Sequence, residues 1–134
     1  MSKRDDERGS MAVEVVLMIP ILFMFTLLVV AGGRYVSVRA DIEAAARDAA
    51  RAASYERSYD DAASAASEVA TSALDSFASC QVDDLGGDFE SGGEVEVTLR
   101  CDIPNDGLGL IGLSGSLPVT ASASAPLDTY RRTE

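Results

Sequence analysis

The chain has 134 residues, with 22 acidic side chains against 11 basic ones, a formal net charge of −11, and no histidine. The commonest general base and metal ligand is therefore missing, which argues against an enzyme and against a resident metal or cofactor. The acidic balance disfavours nucleic acid as a partner.

Residues 1–9 (MSKRDDERG) are polar and balance three basic groups, Lys3, Arg4 and Arg8, against three acids. They read as a disordered cytoplasmic leader peptide. Residues 10–33 read as a transmembrane helix. From Val15 to Gly33 no side chain is charged, and 19 helical residues reach about 28 Å, close to the hydrocarbon thickness of a bilayer. Lipid hydrogen-bonds no backbone group, so the run is expected to be helical. Pro20 removes one donor and is expected to bend it, and Gly32-Gly33 is expected to act as a swivel. Residues 34–134 form the remaining domain, predicted to be extracytoplasmic.

Residues 34–55 are rich in alanine and arginine and should continue the membrane helix into a long rod, alanine being the best helix former. Glu43 and Arg47 stand in the favourable i, i+4 order. An alanine-rich surface helix buries little area alone, which suggests packing against copies of itself or against its relatives. Ser58 with Asp61 resembles a capping box. A second helix is predicted from there to about Phe77, with Ala62, Ala66, Val69, Ala73 and Phe77 on one face. Tyr35 reads as an interfacial anchor, and Tyr55 and Tyr59 as partly packed on the helices.

After Cys80 the texture changes. Asp83-Asp84-Leu85-Gly86-Gly87 and Ser91-Gly92-Gly93 read as turns. Between Glu94 and Ile103 the chain alternates, with Val95, Val97, Leu99, Cys101 and Ile103 on one face, as a half-buried strand does. Residues 117–125 alternate again, and Pro118 suits an edge strand. The intervening loop carries Leu108, Leu110, Ile111 and Leu113, a cap on the core or a contact patch. Cys80 and Cys101 are the only cysteines. Outside the cytoplasm an even count reads as a disulfide, whereas a reducing compartment would leave two free thiols. Asp83, Asp84, Asp88, Glu90 and Glu94 lack the EF-hand spacing and read as a solvated acidic turn rather than a calcium site.

The most informative stretch is Gly9-Ser10-Met11-Ala12-Val13-Glu14. A charge at the edge of an apolar run is costly and asks for a reason. Glu14 is the fifth residue after Gly9, the layout of a type IV prepilin signal. In that reading a prepilin peptidase cuts between Gly9 and Ser10 on the cytoplasmic side and leaves the apolar helix attached. The new amine at Ser10 is positive, and Glu14 of one subunit would neutralise the amine of its neighbour. A buried charge is tolerated only when paired in this way.

The run RGSMAVEVVLMIPILF resembles the N-terminal motif of TadE-like proteins, minor pilins or pseudopilins of tight-adherence (Flp-type) pilus systems. Arg8, Gly9, Val13, Glu14 and Pro20 match that motif, and Val15 replaces the usual aromatic. The alanine-arginine helix, the leucine- and glycine-containing loop, the Ser/Thr/Ala strand and the closing Arg-Thr-Glu are similar in texture. The resemblance implies cleavage after Gly9, retention in the cell membrane as a single-pass protein, and a role in pilus assembly or a related secretion apparatus. It also implies a prepilin peptidase, other pilin or pseudopilin subunits, an inner-membrane assembly platform and the lipid bilayer as partners. The expected architecture is α+β and pilin-like: a long N-terminal helix half in the membrane, and a second helix on a small antiparallel sheet tied by Cys80 to Cys101.

Two rival readings lack prepilin processing and give a membrane-anchored or secreted extracytoplasmic interaction protein. In one, Val29-Val30-Ala31 precedes an ordinary signal-peptide cleavage. In the other, an uncut helix anchors the chain. The mature N-terminus separates them: Ser10, Gly32, or an intact Met1 or Ser2.

Overall fold

A computed structural model of the chain describes residues 3–74, 78–104 and 115–130. Five elements follow in chain order: α1 (Lys3–Tyr55), α2 (Tyr59–Leu74), β1 (Ser79–Gly87), β2 (Glu94–Pro104) and β3 (Ser116–Pro126). The class is α+β, as the alternation patterns predicted, with an antiparallel sheet of order β1-β2-β3. The chain divides into two compact units, Met1–Val36 and Ser37–Glu134.

In the first unit, α1 already begins at Lys3, so residues 3–9 are helical rather than disordered. Lysine, arginine and glutamate are good helix formers, and extending an existing helix avoids the cost of nucleation. The helix also runs without interruption through Pro20 and Gly32-Gly33. Intact turns on both sides carry the two glycines at a cost of about 1 kcal/mol each.

The second unit holds the core. Val38, Ile42, Ala45, Ala46, Ala49, Ala50 and Ala53 of α1 are buried, at the three- and four-residue spacing of one helix face. The alanine-rich segment therefore covers its own domain rather than waiting for another copy. On its solvent side Glu43 pairs with Arg39 (Nε–Oε1 3.3 Å) rather than with Arg47. Both partners are well exposed, where such pairs contribute little.

Ser58 caps α2 as expected. Its Oγ accepts from the Asp61 backbone N–H at 3.2 Å and donates to the Asp61 carboxylate at 2.7 Å. Asp60 and Asp61 in the first turn complement the positive end of the helix dipole. The buried stripe of α2 is Ala62, Ala66, Ala70 and Leu74. Ala73 is exposed and Val69 only half-buried, so the inward face lies one position round from the predicted one. Phe77 lies outside the described residues. Leu74, the largest side chain of the stripe, turns the face, because burying it removes the most apolar area from water.

The sheet buries one side. On β2, Val95, Val97, Leu99, Cys101 and Ile103 point inward, and on β3 Val119 and Ala121 join them. Glu94, Glu96, Arg100 and Asp102 are exposed on the opposite face. Residues 83–87, expected as a turn, belong to β1. The register slips between Val82 and Asp84, a bulge that inserts one residue and puts Leu85 back on the inward side with Val82. The bulge breaks the period of two, which hides the strand from a search for alternation. Gly87 and Gly93 flank the hairpin. Gly87 has φ +96° and a β-carbon there would collide with the Glu94 carbonyl, while one on Gly93 would collide with the Asp88 carbonyl. The Leu127 N–H donates to the Gly93 carbonyl at 2.8 Å and closes the sheet's end. The 105–114 loop with Leu108, Leu110, Ile111 and Leu113, and the closing residues 131–134, lie outside the described residues.

Tyr59 ties the helix to the sheet. Its hydroxyl donates to the Leu85 carbonyl at 3.0 Å, and its ring meets Phe89 edge-on at 6.5 Å between centroids. Tyr55, expected to be partly packed, is 75% exposed.

Candidate functional site

Gly9 stands inside α1 and is exposed, and a β-carbon there would meet nothing within 4 Å. Neither a turn nor a close approach asks for glycine at this place. Within a helix it costs roughly 0.5–1 kcal/mol relative to alanine. The residue therefore answers to something other than the packing of this chain. Glycine is also the residue whose backbone unwinds most readily into an extended conformation. The backbone of Ser10 continues the helix.

Glu14 follows one turn after Ser10 and is exposed. Among the described residues no side chain pairs with it. Around it, Met11, Val13, Leu17, Ile21, Phe23, Phe25 and Leu28 are all exposed, with Met11 the most open of these at 71%. A helix that is apolar around its whole circumference needs an apolar surrounding. α1 is the one helix, among the described residues, long and apolar enough to cross a membrane. Within this run the Thr26 Oγ1 donates back to the Leu22 carbonyl at 2.8 Å, as hydroxyls in helices commonly do. Tyr35 is half-buried just past the uncharged run, before Val38 opens the buried face.

Cys80 and Cys101 form a disulfide, as expected on export. Their α-carbons are 4.1 Å apart and the residues face each other directly across β1 and β2. The half-cystine of Cys101 is fully buried. This position follows from the alternation, which put Cys101 on the inward face, whereas the partner strand β1 had no legible period.

Asp83, Asp84, Asp88, Glu90 and Glu94 are exposed along β1, the hairpin and the start of β2. Among the described residues no three His, Cys, Asp or Glu side chains come together in a way that would hold a metal ion.

Residues 9–51 match the family model described as TadE-like protein. No curated protein and no solved structure matches the chain significantly. The matched stretch opens on Gly9, includes Glu14 and the whole apolar run, and reaches the buried alanines of α1. By motif and by family model, residues 9–51 of this chain are similar to the N-terminal segment of TadE-like proteins.

Proposed function

We propose that this protein is a TadE-like minor pilin or pseudopilin, cut by a prepilin peptidase between Gly9 and Ser10, that acts in assembly of a tight-adherence (Flp-type) pilus or a related secretion apparatus. The observation that carries this reading is a family match that begins at Gly9, at a glycine for which the fold has no use. The family suggests association with the pilus system, and the chain supplies the parts that such a role needs.

The leader keeps Lys3, Arg4 and Arg8 on the cytoplasmic side. The apolar run of α1 stays in the bilayer after cleavage and later packs against other subunits. The new amine at Ser10 meets Glu14 of a neighbour, so that two costly charges in an apolar surrounding neutralise each other. The domain of residues 37–134 lies outside the cytoplasm, where its disulfide persists. Other pilin or pseudopilin subunits and an inner-membrane assembly platform are its partners, alongside the peptidase and the lipid bilayer.

Mass spectrometry of the membrane-extracted protein tests the reading. The expected terminus is Ser10. An intact Met1 or Ser2 would leave an unprocessed anchor, and a start at Gly32 would leave a secreted protein; either overturns the proposal.

A further inference from the structure

The two edges of the sheet differ in kind. β1 is closed to further pairing. It carries a bulge at Val82/Asp84 and exposed acids at Asp83 and Asp84. α2 packs along it, and the Leu85 carbonyl already accepts from Tyr59. Charges, bulges and covering helices are the usual guards of a strand edge. Among the described residues, β3 has none of them. From Ser116 to Pro126 it bears no charged side chain, although the chain carries 22 acids, and its register with β2 runs without a slip.

The direction of its backbone groups can be followed from one bond. The Leu127 N–H donates toward Gly93, on the β2 side, and the ladder is regular. Odd-numbered residues of β3 therefore bond to β2, and even-numbered ones point their N–H and C=O groups to the open side. Pro118 and Pro126 are both even, so their missing N–H groups cost the sheet nothing, as edge prolines should. Between them the open side offers the N–H and C=O groups of Thr120, Ser122 and Ser124. No other described backbone group bonds to these donors. The inward face is also unfinished here. Ala123 and Ala125 are only half-buried, although Val97 and Val95 opposite them are fully buried.

We propose that β3 is a docking edge for a second copy of this chain, the two β3 strands pairing antiparallel about Ser122 so that the two sheets become one. The strand is self-complementary about that residue. Ser122 meets Ser122 of the second copy, Thr120 meets Ser124, and Pro118 meets Pro126. Each donor in the window then finds an acceptor, and the prolines at both ends stop the ladder. On the outward face the pairing sets Thr and Ser hydroxyls opposite one another, a favourable cross-strand combination. On the inward face Ala121 meets Ala123 of the other copy, small enough for close approach and able to cover the open alanines. Because β1 is guarded, pairing through β3 closes at two copies instead of propagating. This inference does not depend on processing at Gly9.

Site-directed cross-linking of the full-length, membrane-embedded protein tests it. The native cysteines are bonded to each other, so an added cysteine is the free thiol. Ser122→Cys is expected to give a covalent dimer under mild oxidation, because facing strand residues lie within disulfide reach. Thr120→Cys and Ser124→Cys are expected to cross-link when mixed and not when each is alone. Ser67→Cys, on the exposed side of α2, is the control for chance encounters in the membrane and should give no dimer. Absence of a dimer at Ser122→Cys, an equal yield at Ser67→Cys, or stronger cross-linking of Thr120→Cys with itself than with Ser124→Cys would each overturn the proposal. Circular dichroism on every variant confirms that the sheet is intact.

Discussion

Gly9 and Glu14 both sit where this chain alone has no need of them. Gly9→Val adds a branched side chain into open space, so the folded domain should be unaffected while the junction can no longer enter a protease cleft. The expected outcome is accumulation of the full-length form, visible as slower gel mobility; a variant trimmed like the wild type would refute the junction. Glu14→Ala removes the lone charge from the border of an apolar run, which eases insertion. It is expected to insert normally and to fail in assembly, and ordinary incorporation into filaments would count against a pairing role. These two residues draw notice in the sequence because chemistry in the wrong surroundings stands out without coordinates, and their roles rest on the two experiments above. The ion pair was not. Glu43 has an arginine four residues away in both directions, and rotamer geometry rather than spacing decides in favour of Arg39.

Among the elements, legibility followed period. β2 and β3 were readable because one face is buried and the other wet, which writes a repeat of two into the chain. α2 was readable from its cap, and Ser58→Ala should cost about 1 kcal/mol, measured as a lower midpoint in urea. Its inward face was misjudged by one position, since a stripe of alanines has too little contrast to fix an angle and Leu74 decides it. β1 was missed because its bulge interrupts the alternation between Val82 and Leu85. The hairpin it forms with β2 is stapled by Cys80–Cys101, whose bond closes a separation of 21 residues and contributes roughly 3 kcal/mol in the chain-entropy model. Replacing both cysteines with serine should lower the thermal midpoint clearly. A midpoint that does not move would mean that the strands hold without the bond.

For the molecule entire, the long apolar helix was written plainly in the sequence and the core was not. An uncharged run of 19 residues predicts retention in membranes washed at alkaline pH, and release into the wash would contradict the reading of α1. The core went unrecognised because Ala45, Ala46, Ala49, Ala50 and Ala53 look like a surface awaiting partners, whereas Ala46, Ala49, Ala50 and Ala53 are wholly shielded from solvent within the domain. Such an interior has a lopsided mutational profile. Trimming any of these side chains to glycine deletes a single methyl and costs about 1 kcal/mol, mostly through helix propensity. Enlarging one, as in Ala49→Leu, forces several atoms into filled space and costs about 1–3 kcal/mol or more. In a saturation survey of protease resistance, the domain would forgive losses of bulk along this face and punish gains, the reverse of a protein whose interior is built from leucine.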